Sequence, residues 1–111
     1  MKFEPNAIRY TVSIGLPDSM AFARLRHEFA RVIGDGTAAE SDGFWRGKVE
    51  RAAHFTVVVD QSDPTTARFA ALRILLFATW AAGELGQEAV AITEEPVRFR
   101  LVDRWGQEVA P

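Results

Sequence analysis

Apolar and polar residues alternate along several stretches of this chain, and a period of two is typical of strands with one buried face. Residues 8–16 form the first such stretch, with isoleucine, tyrosine, valine and leucine on one side. Residues 43–60 contain two more, which we expect to pair as a hairpin that turns near Arg51 and Ala52. A hairpin is only marginally stable alone, so this one requires further strands and a covering layer.

Two other stretches carry apolar residues at spacings of three and four, which predicts helices. The first runs to about Ile33 with Asp18 as its N-cap, and the second runs to about Leu85 with Asp63 as N-cap and Pro64 at its first position. The second helix is apolar on two opposite sides. One side should cover the sheet, and the other either packs within the monomer or forms a contact with a second copy or a partner.

Turn-forming residues predict the segments that connect these helices and strands. Residues 35–43, rich in glycine, serine and aspartate, are predicted to form a loop. Residues 87–93 give a short apolar strand, residues 94–96 a turn and residues 97–103 a final alternating strand.

This order predicts one α+β domain over residues 1–111, a ferredoxin-like βαββαβ sandwich with two helices on one face of an antiparallel sheet. The other face of the sheet is then open to solvent. The residues expected on this open face are Arg9, Thr11, Ser13, Phe44, Arg46, Lys48, Glu50, His54, Thr56, Arg98 and Arg100.

The amino-acid composition and net charge exclude several kinds of site and argue against several classes of function. The 111 residues include no cysteine, which excludes disulfides, thiolate metal sites and cysteine nucleophiles. A net charge of -2 argues against general nucleic-acid binding, and an open sheet with Phe44 as its one clearly placed aromatic residue does not match an RNA-recognition module. The start of the chain has no apolar signal core, so we expect a cytoplasmic protein. The uncharged run of the second helix, between Arg73 and Glu84, is too short for a membrane span.

Catalytic patterns are not recognisable in the sequence. His27 and His54 lack metal-ligand spacing, and nothing around Ser13 resembles the nucleophile elbow that a set of Ser13, His54 and Asp60 would need. No glycine-rich phosphate loop follows the first strand. We therefore expect no enzyme activity, no metal and no cofactor.

Three segments carry a resemblance: residues 10–16 (YTVSIGL), residues 43–50 (GFWRGKVE) and residues 87–90 (QEAV). They are similar to small uncharacterised phage and prophage proteins that read Y-T-x-x-I-G-L, G-x-W-x-G-x-x-E and Q-E-A-V. The positions that carry over are Tyr10, Trp45, Gly47, Glu50 and Gln87, and the resemblance gives them no role beyond the fold.

The resemblance implies a non-catalytic inhibitor of a host defence complex, such as an anti-CRISPR protein that stops a CRISPR-Cas surveillance complex from engaging DNA, acting in the cytoplasm of the bacterial host. Two charged sets are candidates for binding it. The basic set is Arg9, Arg46, Lys48, Arg98 and Arg100, and the acidic set is Asp35, Glu40, Asp42, Asp60 and Asp63. The alternatives are a homodimeric domain that holds a small ligand between two open sheets, a ferredoxin-like dimeric enzyme, and a phage assembly protein.

Overall fold

The computed structural model of the protein describes residues 4–110, apart from the side chain of Trp45. The elements are β1 (Ala7–Gly15), α1 (Ala21–Val32), β2 (Thr37–Trp45), β3 (Lys48–Asp60), α2 (Pro64–Glu84), β4 (Ala91–Val97), β5 (Leu101–Val102) and β6 (Glu108–Val109). Four strands form one antiparallel sheet in the order β2-β3-β1-β4, and the two short strands β5 and β6 form a separate hairpin after it. This agrees with the predicted α+β class.

The β2–β3 hairpin turns at Arg46 and Gly47, and not near Arg51 as predicted. Both turn residues have positive φ, 50° and 76°, which is the backbone that a two-residue hairpin turn needs to match the strand twist. Asn-Gly or Asp-Gly is the usual sequence signal of such a turn. This chain has arginine at the first turn position, a residue that seldom adopts a positive φ, and the turn was therefore not predicted here. The consequence is a β3 of 13 residues in which Arg51 lies within the strand, opposite Asp42.

The predicted loop over residues 35–43 is also wrong, because most of it belongs to β2. Residues from Thr37 onward pair with β3, starting with Thr37 opposite Thr56. β2 lies at the edge of the sheet and its side chains are mostly exposed. An edge strand with little to bury carries polar and acidic residues, which is why its composition resembled a loop.

The C-terminal strands were misplaced by the sequence reading in a similar way. Glu94, Glu95 and Pro96 are inside β4 and do not form a turn, with Pro96 opposite Ile8 of β1. β4 is the other edge strand, and an edge is where a sheet tolerates a proline. Within residues 97–103, which were predicted to form the final strand, only Val97 continues β4 and only Leu101–Val102 forms β5.

Both predicted helices are present, and aspartates bind their N-terminal ends. The Asp18 carboxylate accepts hydrogen bonds from the backbone N–H groups of Met20 and Ala21, at 2.8 and 2.9 Å. The Asp63 carboxylate accepts from the backbone N–H of Thr65 and from the Thr66 hydroxyl, at 3.1 and 2.8 Å. The bonds to N–H groups satisfy donors that a helix start leaves without partners. Asp63 is the N-cap of α2 as predicted, whereas the N-cap of α1 is Met20 and not Asp18.

The core lies between the helices and one face of the sheet. Phe55 of β3, Phe29 of α1 and Phe77 of α2 contact one another, with ring centroids 5.0 to 5.2 Å apart. Val12 and Ile14 of β1 are buried beside them, each 1% exposed. Because Phe55 contacts rings from both helices, α1 and α2 cover the same face of the sheet.

The outer side of α2 stays exposed. One of the two apolar stripes predicted for this helix consists of Phe69, Leu72, Leu76 and Trp80; the first three are 59%, 49% and 56% exposed. Trp80 is partly buried and packs on Phe77, with ring centroids 6.3 Å apart. The other stripe, which includes Ile74 and Phe77, is buried against the sheet. Over the part of the chain that the structure describes, no helix combines the length and apolar character needed to cross a membrane.

Candidate functional site

A cleft of about 610 Å³ lies at the end of the open face of the sheet, where β1 ends and the β2–β3 hairpin turns. Small residues in neighbouring strands form its floor. Gly15 of β1 pairs with Ala52 of β3, and Gly43 of β2 pairs with Glu50 of β3. Because three of these four positions carry at most a methyl group, the cleft has room for a ligand directly on the backbone of the sheet.

Glu50 and Gln87 converge over this floor. A methyl group built on Gly15 would lie 3.6 Å from Glu50 Oε2, 3.5 Å from Gln87 Oε1 and 3.8 Å from Gln87 Nε2. A carboxylate and an amide from distant parts of the chain therefore face the same empty position. A carboxylate accepts hydrogen bonds and an amide both donates and accepts, so together they can orient a polar ligand.

The end of α2 places Gln87. The backbone N–H of Gln87 donates to the Ala82 carbonyl oxygen at 2.9 Å, and Gly86 has a φ of 64°. This is the way many helices end, with a glycine in the left-handed conformation directing the chain away from the helix axis. The residues that follow, including Glu88 and Val90, form the wall of the cleft opposite the hairpin.

Charge in the cleft has one sign. Glu50 and Glu88 are the ionisable residues among those that line it, and within the described residues no lysine, arginine or histidine does so. Phe44 borders the cleft through β2, but its pairing with Val49 places its side chain on the other side of the sheet, where it is 77% exposed. The cleft therefore carries negative charge, which attracts cations.

Next to the cleft, three side chains form a polar chain across the open face. Ser13 Oγ lies 2.9 Å from His54 Nδ1, and Ser41 Oγ lies 2.6 Å from His54 Nε2. The hydrolytic set considered from sequence is not assembled. Asp60 pairs with Ala7 at the far end of β1, whereas His54 pairs with Ser13.

The predicted open face is correct only in part. Arg9, Thr11, Ser13, His54 and Thr56 lie on it, as the pairing of β1 with β3 places them, and Lys48 and Glu50 follow on the same side of β3. Phe44 is opposite Val49, on the other side of the sheet, because the turn at Arg46 and Gly47 interrupts the alternation that was expected to place it with Lys48 and Glu50.

The basic set is dispersed. Arg9 donates to Glu95 at 2.8 Å, Arg100 is ion-paired with Glu108 of the terminal hairpin, and Arg46 lies in the β2–β3 turn. Arg98 follows β4. Lys48 is the first residue of β3.

The acidic set is largely engaged within the chain. Glu40 and Asp42 are ion-paired with Arg51, and this contact raises the pKa of the arginine. Asp60 accepts from Ser62, and Asp63 caps α2. Asp35 precedes β2. Inhibition of a host defence complex through either charged set stays a prediction.

Comparison with known proteins finds no matching protein family and no similar curated protein in sequence. It does find the same fold in a solved structure, a phage SAM lyase in complex with S-methyl-5'-thioadenosine. The TM-score is 0.64 and the sequence identity is 10%, over 86% of this chain and 85% of that one.

This finding overturns the prediction that the chain is not an enzyme. That prediction depended on the absence of a recognised catalytic motif, yet a lyase is built on the same fold. The sequence also did not indicate that Glu50 and Gln87 belong to this cleft. Both residues lie in the motif segments but were treated as fold positions, because nothing in the linear order indicated that they meet at Gly15.

Proposed function

We propose that the protein binds S-adenosylmethionine in the cleft at Gly15 and cleaves it as a lyase, releasing S-methyl-5'-thioadenosine. The convergence of Glu50 and Gln87 over the glycine floor carries this proposal. The fold shared with the phage SAM lyase supports the choice of ligand. A cleft of about 610 Å³ lies within the usual size range of small-molecule sites.

We also infer that the domain is a ferredoxin-like sandwich. The element order β1-α1-β2-β3-α2-β4 and the antiparallel strand order support this assignment. In this arrangement the helices occupy one face, and the opposite face is left for ligands or partners.

The charge of the substrate fits the charge of the cleft. S-adenosylmethionine carries a positive sulfonium, and Glu50 supplies a carboxylate near the floor. Gln87 has the donor and acceptor atoms to fix the polar end of the ligand.

The proposed reaction breaks the bond between the sulfonium sulfur and the γ-carbon of the methionine part. The bonding electron pair stays on sulfur, which becomes the neutral thioether of the product. Because a lyase adds no water, the carbon fills its valence either by ring closure with the ligand's own carboxylate oxygen or by loss of a neighbouring proton. In ring closure, the Glu50 carboxylate stabilises the cationic ligand electrostatically. In proton loss, the same carboxylate accepts the proton.

The test is to incubate the purified protein with S-adenosylmethionine and to measure S-methyl-5'-thioadenosine by liquid chromatography. We expect product from the wild type, and a loss of about a hundredfold in rate for Glu50→Gln and for Gln87→Ala, as is typical when one polar group of a preorganised site is removed. Glu4→Gln is the matched control, since Glu4 precedes β1 at the end of the sheet opposite the cleft. Absence of product from the wild type would refute the lyase activity, and absence of binding would refute the proposed ligand as well.

A further inference from the structure

The cleft carries two carboxylates and, in the described chain, no basic residue along its lining. Most nucleotide sites have the opposite character, because phosphate groups are bound by arginine, lysine or the N-terminal ends of helices. At this site Gln87 and Glu88 come just after the C-terminal end of α2, where the helix presents partial negative charge. Three sources of negative potential therefore act in the same direction.

We propose that the site selects its ligand by the charge at the sulfur position: it holds a cationic adenosine compound, releases the neutral thioether, and excludes nucleoside phosphates. This inference rests on the proposed function, since it assumes an adenosine ligand in the cleft. Glu50 is the main determinant, because it faces the floor beside Gly15, and Glu88 contributes from the opposite wall.

The charge change on cleavage gives this selection a role in turnover. S-adenosylmethionine enters with a sulfonium that Glu50 and Glu88 attract, whereas the product has lost that charge. The carboxylates then have no cation on the adenosine fragment to hold. The product leaves more easily than the substrate, and the cleft does not fill with product as the reaction proceeds.

Two analogues without a sulfonium, which the protein cannot cleave, distinguish the effect of ligand charge on affinity from the effect of ligand shape. Sinefungin carries an amine, cationic at neutral pH, where S-adenosylmethionine has its sulfonium, and S-adenosylhomocysteine has a neutral thioether there. We expect sinefungin to bind the wild type about tenfold more tightly by calorimetry, which is the scale of one charge pair in a solvent-exposed site. ATP should show no measurable binding at the same concentrations.

Variants of the two glutamates show which of them causes the preference for the cationic ligand. Glu50→Gln should bring the ratio of the two affinities close to one while the affinity for S-adenosylhomocysteine stays within about twofold. Glu88→Gln should lower the ratio less, and Glu4→Gln should leave it unchanged. Raising the salt concentration should reduce the ratio in the wild type but not in the Glu50→Gln, Glu88→Gln double variant, because exposed charges are screened.

The outcomes separate the two proposals. If S-adenosylhomocysteine and sinefungin bind the wild type equally, or if ATP competes with them, selection by charge is refuted and the adenosine site stands. If Glu50→Gln weakens both ligands to the same degree, Glu50 holds a part of the ligand other than the cation, and the inference is again refuted. If neither ligand binds, the proposed function fails, and this inference fails with it.

Discussion

Strands β1 and β3 build two opposite environments from alternate residues. On the helix side, Val12, Phe55 and their neighbours are almost fully buried, and rings from both helices fill the space around them. At the end of the open side, Gly15 and Ala52 leave the backbone uncovered, and Glu50 with Gln87 faces the gap. The first region uses side-chain volume for stability, whereas in the second the small residues leave space for the proposed ligand.

The largest loss of stability should come from a substitution on the helix side of the sheet. Phe55→Ala removes a ring that is 0% exposed and contacts Phe29 and Phe77, so we expect a loss of about 3–5 kcal/mol in the free energy of unfolding, measured with urea. Phe44→Ala is the matched control, because Phe44 is 77% exposed. It should change stability by less than about 0.5 kcal/mol. Equal losses in the two variants would contradict the distinction between the two sides.

The open side should respond to added volume. In Gly15→Ala the new methyl group meets Glu50 and Gln87 at ordinary contact distances, and the Gly15 backbone is not in the left-handed region, so the fold should tolerate it. The methyl group nevertheless occupies the proposed ligand position. We expect the affinity for adenosine ligands to fall at least about tenfold, measured by calorimetry, a loss of about 1.4 kcal/mol.

Gly83→Ala is the control for the cleft substitution, because open space surrounds Gly83 on α2. It should leave ligand binding unchanged and stabilise the helix slightly. A loss of binding in Gly83→Ala would indicate that the conformation of the α2 terminus, rather than space at Gly15, controls the site.

A smaller loss of thermal stability should follow from removing the Asp63 side chain that caps α2. In the folded protein, hydrogen bonds from the Thr66 hydroxyl and then from the backbone N–H groups of Thr65 and Thr66 lower the pKa of Asp63. A lowered carboxyl pKa stabilises the fold above the unfolded pKa of about 4, and this contribution is lost as the pH falls through the folded value. Asp63→Ala should therefore lower the melting temperature by about 4 °C at pH 7 and by less at pH 3.

Asp35→Ala serves as the control for Asp63→Ala, since Asp35 comes from the same acidic set but precedes β2 in the chain. We expect its melting temperature to match that of the wild type at both pH values. An Asp63→Ala effect that grows as the pH falls would contradict the assigned role of the carboxylate.

The smallest effect should come from the outer side of α2. Leu76 is 56% exposed, so Leu76→Gln should change the free energy of unfolding by less than about 0.5 kcal/mol. Ile74→Ala, two residues away on the buried side, should cost about 2–5 kcal/mol. A large loss in Leu76→Gln that depends on protein concentration would mean that a second copy covers this stripe.

The sequence by itself determined the elements that have a strong periodic pattern or a clear cap. The alternation from Ile8 to Ile14 predicted β1, and Asp63 with Pro64 predicted the start of α2. These features depend on neighbours within a few residues, so local physical chemistry is sufficient to predict them. The α+β class followed, since such elements must bury their apolar faces against one another.

Only the tertiary structure decided the edges of the sheet and the cleft. β2 and β4 bury little, so their composition resembled loops and turns, and pairing with β3 and β1 makes them strands. The cleft needs Gly15, Glu50 and Gln87 in one place, although they are separated by 35 and 37 residues along the chain. Sequence patterns indicate which residues share a face of one element, whereas the convergence of Glu50 and Gln87 over Gly15 depends on strand register and on where α2 ends.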